Sequence, residues 1–224
     1  MKLQAIYAIL QKDASAIASV KHGEITALDG GVYGSYNAKY EDSIVKAMVT
    51  SAGGNGEAMK IKNSSGKLSL FEEVRNGDVD ATWIFLPWEG IEAELDGVSL
   101  HAFKVEDYGV PYGYSPVIAR NAASSPSAET LRKFIKATAK GYEHVVDDFR
   151  AVVPILSPQC RPARSAQFLA RSQEYINDFY RDGTSPMGYM QPSKWENWTG
   201  WLRKQGLLHK DIASSDLFTN EFFP

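Results

Sequence analysis

Through the first half of the chain apolar residues come in short blocks separated by turn formers. In the second half they recur at helical spacing. Residues 3–10 read as a strand and 16–20 as a second short apolar segment, with a polar loop over 21–27. A strand over 32–36 ends in Gly34-Ser35-Tyr36-Asn37. A helix over 41–50 follows, with Ile44, Val45, Met48 and Val49 on one face, and the glycine-rich run 51–56 stops it. Next come a brief strand over 59–61 and a helix over 69–75 with Leu70, Phe71 and Val74 as its stripe, closed by Asn76-Gly77. A buried strand over 79–86 carries Trp83 in its apolar run, which reads as core. A short helix over 91–95 and strands over 98–103 and 115–118 complete this half. Three longer helices follow. The first, over 129–149, takes Ser127 as N-cap and Leu131, Phe134, Ile135, Thr138 and Tyr142 as its apolar stripe. The second spans 165–180, and the third spans 193–205 with Ser193 as N-cap and Gly206 as stop. Strands alternating with helices, then helices alone, predict an α/β lobe and a helical return segment.

Composition narrows the function classes. The 224 residues are 44% hydrophobic and 23% charged, as in ordinary globular α/β chains. A net charge of −3 with scattered basic residues argues against nucleic acid as a partner. Cys160 is the only cysteine, so no intramolecular disulfide forms and a cysteine metal site is not expected. His22, His101, His144 and His209 lack metal-ligand spacing and read as surface residues. No window approaches the ~18 apolar residues of a membrane span, so no membrane insertion is expected. Residues 1–10 are too short and too weakly charged for a secretory leader, so the chain as given reads as cytoplasmic. A longer precursor with an export signal would make it periplasmic.

Three places carry candidate chemistry. Gly34-Ser35-Tyr36-Asn37 stands between a strand and a helix, where unpaired backbone N–H groups welcome an anionic oxygen. The competing reading is a capped turn that binds nothing. Trp88 and Glu89 follow Pro87 at a strand end and offer a flat face and a carboxylate; the competing reading of Glu89 is a solvated helix-start carboxylate. Tyr108, Tyr112 and Tyr114 stand among Gly109, Pro111 and Gly113, and suit stacking on a heterocycle or a crossover whose tyrosines pack. Trp195, Trp198 and Trp201 on one helix read as core packing. The first two places and the tyrosine run suit a small-molecule cleft.

The stretches YGSYNAKYEDSIVKAM (33–48), GDVDATWIFLPWEG (77–90), DYGVPYGYSPV (107–117) and DLFTNEFF (216–223) resemble one family over nearly the whole chain. It is the solute-binding-protein superfamily of thiamine-pyrimidine-precursor synthases and ABC-transporter substrate-binding proteins. The resemblance implies a type II periplasmic-binding-protein-like α/β fold, with two lobes joined by crossover strands and ligand held between them. It places residues 13–114 in lobe 2, and residues 1–12 and 115–224 in a lobe 1 incomplete at its N-terminus. Gly34 to Asn37 would correspond to the phosphate loop, and Trp88, Glu89, Tyr112 and Tyr114 would flank the ligand ring.

The family's members carry a further strand-helix-strand segment ahead of the point where this chain opens. Its synthases draw on pyridoxal phosphate, and on a lysine and a histidine of that segment. They also have a cysteine run where this chain has residues 110–114. The expectation is therefore a non-catalytic domain that binds a pyrimidine-type thiamine precursor, with or without a phosphate, and needs no cofactor. The alternative is a synthase-like enzyme of thiamine biosynthesis acting on pyridoxal phosphate; a third reading is a degenerate fragment without ligand. Uncovered apolar faces in lobe 1 would make the chain less stable than its parent, or would pair it with a second copy or the missing segment.

Overall fold

A computed structural model describes residues 2–64 and 70–224. The chain divides into two compact units. One contains the chain up to Ala14 with Gly113–Thr199 and Lys210–Pro224; the other is Ser15–Tyr112 with Gly200–His209. The expected division at residues 13 and 114 did not include the excursion of Gly200–His209.

The second unit is built on a five-stranded mixed sheet. Its strands are β2 (Ser15–Ser19), β3 (Val32–Ser35), β4 (Lys60–Asn63), β5 (Ala81–Phe85) and β6 (His101–Phe103), in the order β4-β3-β5-β2-β6. β3 runs parallel to β4 and β5, while β2 runs antiparallel to β5 and β6. The parallel strands are linked by helices, as parallel pairing requires. α1 (Glu41–Ser51) leads from β3 toward β4, and α2 (Phe71–Asn76) precedes β5. α1 buries Ile44, Val45, Met48 and Val49, the face expected from their spacing. The expected helix start at Ser69 lies outside the described residues. α3 (Ile91–Leu95) leaves β5 after one π turn over Leu86–Gly90. Strand starts and ends move by a few residues from expectation, because pairing rather than local pattern decides them.

The first unit pairs only β1 (Leu3–Ala8) with β7 (Val117–Asn121), antiparallel. Its helices are α4 (Ala128–Asp147), α5 (Val153–Leu156), α6 (Ala166–Asn177), α7 (Pro192–Lys204, which runs on into the other unit) and α8 (Ser214–Leu217). Ser127 and Ser165 cap α4 and α6, accepting from the Thr130 and Phe168 amides at 3.2 and 3.1 Å. One face of the pair packs Ile6 and Tyr7 against Leu131, Ile135, Ala139 and Phe222. The other packs Ala5 and Ala8 against Met190 and Phe218.

Four sequence expectations need correction. Ser193 does not cap α7, because Pro192, whose fixed φ suits a first helical position, already begins it. Phe134 does not join the buried stripe of α4 and is 50% exposed. Trp83 is not core but half-buried, since it alternates with the fully buried Thr82 and Ile84 along β5. His22 is no free surface residue; its Nε2 lies 3.1 Å from Asp80 Oδ1.

Candidate functional site

β3 and β5 are adjacent and parallel, so the turns after Ser35 and Phe85 leave the same edge of the sheet. In open α/β sheets the carboxyl edge of the strands is where ligands bind. Gly34, Ser35, Tyr36, Asn37, Trp88 and Glu89 all sit at this edge. Pairing of non-local strands brings them together.

The β3 turn is closed upon itself. A Cβ on Gly34 would lie 3.2 Å from Val79 Cγ2, so the missing side chain serves strand packing. Ser35 is fully buried; its Oγ donates to Asp42 Oδ1 at 2.7 Å and accepts from the Asn37 amide at 2.9 Å. Asn37 adopts a left-handed φ of 65°, which Asn tolerates better than most residues. The buried Glu41 carboxylate accepts from the Tyr36 amide at 3.1 Å, the Ala38 amide at 3.2 Å and the Tyr33 hydroxyl at 2.8 Å. The backbone N–H groups of residues 36 to 38 are thus engaged by the chain's own side chains. The outward groups of the turn are the half-buried Tyr36 and the exposed Asn37.

Tyr36 links this turn to Glu89. Its hydroxyl accepts from the Leu70 amide at 3.1 Å. Burial raises its pKa, and the carboxylates of Glu89, Glu41 and Glu73 raise it further, against the lowering effect of the Leu70 bond. It is therefore a neutral hydroxyl at ordinary pH, facing acceptors. Tyr33 is held neutral more strongly, by burial first and then by Glu41. Glu89 accepts from the Phe85 amide through Oε2 at 2.9 Å, which caps the π turn that presents Trp88. Single π turns recur at functional positions. Trp88 and Glu89 are both half-buried.

An aromatic group stands in the same unit. The Tyr112 ring lies 5.5 Å from Trp83 and 6.2 Å from Tyr40, tilted to both. These are the offset geometries that aromatic pairs prefer. Trp83 and Tyr40 were not among the expected site residues. The period-two alternation of β5 would have separated Trp83 and the 47% exposed Phe85 from the buried Thr82 and Ile84.

Tyr114 belongs to the other unit. Its hydroxyl accepts from the Gln191 amide at 2.8 Å, its ring meets Trp195 at 6.2 Å, and Lys194 Nζ sits 4.9 Å from the ring centroid. Each of these contacts is structural. Tyr108 instead lines an open depression of 620 Å³ with Ser43, Lys46, Thr50, Trp201 and Gln205, away from the other expected residues. Among the described residues no three His, Cys, Asp or Glu side chains are placed to hold a metal ion. No helix among them is long and apolar enough to cross a membrane.

A family model described as NMT1/THI5 like matches residues 1–150. The chain is 24% identical over 184 residues to the formylaminopyrimidine-binding protein of Halalkalibacterium halodurans, covering 80% of this chain and 55% of that protein. It thus spans about half the length of that relative. The alkanesulfonate-binding protein SsuA of Xanthomonas axonopodis pv. citri superposes with a TM-score of 0.69 at 13% identity, over 97% of this chain and 74% of that one. The periplasmic aliphatic sulphonate binding protein SsuA of Escherichia coli gives 0.63 at 15% identity, over 96% and 68%. At such identities the likeness shows the fold alone: α/β, of the kind found in ABC-type substrate-binding proteins.

Proposed function

Since the chain belongs to the NMT1/THI5-like family, we propose that it binds a pyrimidine-type thiamine precursor at the carboxyl edge of its five-stranded sheet and does not react with it. The observation that carries this reading is the convergence of Tyr36 and Glu89 at one sheet edge, with the Tyr40–Tyr112–Trp83 ring group in the same unit. A flat aminopyrimidine stacks on aromatic faces for about 0.5–1.5 kcal/mol beyond its buried area. Its exocyclic amine donates to the Glu89 carboxylate, which the Phe85 amide holds in place. The neutral Tyr36 hydroxyl donates to a ring nitrogen. The relative named a formylaminopyrimidine-binding protein supports the ligand class.

The closed β3 turn refines the choice. Because Glu41 and Ser35 hold the turn amides, a phosphate arriving there would meet a carboxylate instead of free N–H groups. The unphosphorylated pyrimidine is the better fit, and no cofactor enters the reading.

Titration calorimetry with aminopyrimidines, their phosphates, alkanesulfonates and pyridoxal phosphate tests this. Aminopyrimidines should bind, with Glu89→Gln and Trp83→Ala each weakening affinity roughly tenfold, about 1.4 kcal/mol. Binding of sulfonates alone, or affinity unmoved by both substitutions, would overturn the site. An absorbance band from a lysine adduct of pyridoxal phosphate would favour the synthase-like enzyme.

A further inference from the structure

Glu41 opens α1 but does not cap it. A capping side chain accepts from the amides of the first helical turn. The Glu41 carboxylate instead turns back, accepting from the Tyr36 amide at 3.1 Å and the Ala38 amide at 3.2 Å, both ahead of the helix. The left-handed Asn37 stands between those two residues. Neighbouring amides turned to one side in this way form a concavity suited to an anion, and here the anion is a side chain of the same chain. Its third donor is the Tyr33 hydroxyl at 2.8 Å. All three donors are neutral groups and Glu41 is 3% exposed, so dipoles hold this charge as they would hold a bound anion's. Lys39, the basic residue of the turn, is exposed, where water and salt screen its charge.

We propose that Glu41 is the residue that sets specificity for ligand charge, a role that rests on the ligand edge described above. Its carboxylate occupies the seat of a ligand's anionic group, so the edge accepts uncharged or cationic planar bases and turns away phosphates and sulfonates. An incoming anion must displace one that is covalently tethered, and a tethered competitor acts at a high effective concentration. Asp42, whose Oδ1 accepts from Ser35 Oγ at 2.7 Å, places a second carboxylate beside the turn and opposes a further negative charge. The Asn37 amide is taken by Ser35 Oγ at 2.9 Å, so the seat consists of the Tyr36 and Ala38 amides that Glu41 holds. Changing Glu41 therefore changes which charge the edge admits, without touching Glu89 or the ring group.

Chemical rescue tests this without any pyrimidine. Glu41→Ala frees the Tyr36 and Ala38 amides and should lower the melting temperature. Formate or inorganic phosphate should restore part of that loss, measured against sodium chloride of equal ionic strength. Wild type and Ser127→Ala, which is weakened at α4 instead, report the general stabilisation that phosphate gives any fold and should show no more than that. If Glu41→Ala does not fold, Glu41→Gln decides: it keeps the shape, turns one acceptor into a donor, and should be stabilised by phosphate more than wild type is. A response no larger than that of wild type overturns the proposal. With ligand present, wild type should bind an aminopyrimidine at least roughly tenfold more tightly than its phosphate, and either Glu41 variant should narrow that ratio. A ratio near one in wild type also overturns the proposal. Failure of every aminopyrimidine to bind overturns the pyrimidine reading instead, and rescue by formate or phosphate then still decides the role of Glu41.

Discussion

In the five-stranded sheet β3 has partners on both sides, its following turn is sealed by Glu41, and the entry to β5 is tied by Asp80 to Val32, His22 and Lys21. In the two-stranded sheet the outer edge of β1 is completed by irregular chain at Gly188 and Phe218–Thr219, and among the described residues β7 has one strand partner. The five-stranded unit ties its turn amides to its own side chains, whereas the two-stranded unit completes the β1 edge with irregular chain. An isolated two-stranded sheet is marginal on its own, so this unit leans on helix packing. A ligand edge belongs on the five-stranded unit, where groups are held before the ligand arrives.

The contrast can be broken from either side, with residue-resolved hydrogen exchange during urea unfolding reporting each unit. The largest effect is expected at Gly188, whose φ is +91° and whose added Cβ would lie 1.9 Å from Tyr7 Cε2. Tyr7 is fully buried and cannot yield, so Gly188→Ala should cost about 4 kcal/mol, first in the β1–β7 unit. Retention of wild-type exchange there would mean the ring has room the packing denies it. Glu41→Ala comes next. It leaves the Tyr33 hydroxyl and two turn amides without their acceptor, for a loss of about 3 kcal/mol confined to the five-stranded unit. A loss under about 1 kcal/mol would show that the turn is not sealed as described. Ser127→Ala should remove the cap of α4 for about 1 kcal/mol, read in the exchange of the Thr130 amide.

The smallest effect concerns acid. Burial raises the Asp80 carboxyl, but hydrogen bonds from the Val32 amide and His22, with the charges of His22 and Lys21, outweigh it and hold its pKa below the ordinary value. A carboxyl depressed in the folded state contributes stability above its unfolded value, near 3.9, and loses it as pH falls through the folded one. The five-stranded unit should therefore weaken below about pH 4. Asp80→Asn keeps an acceptor for Val32 and should flatten that part of the pH profile. An unaltered slope would place the acid sensitivity elsewhere.

Local signals in the sequence settled what local physics controls. The alternation of strands and helices, the buried face of α1, and the cap at Ser127 follow from spacing and from single side chains acting within a few residues. The position of Trp88-Glu89 after a strand was equally readable, because Pro87 and the end of an apolar run mark it in the sequence. Tertiary structure decided the rest. Only pairing of β3 beside β5 puts Tyr36 in the field of Glu89, and only the fold of α1 brings Glu41 back onto the turn amides that the sequence had offered to a ligand. The half-exposure of Trp83 and Phe134 depends on which neighbours cover them. Burial and pairing are contacts between residues far apart in the chain, and no window of sequence contains both partners.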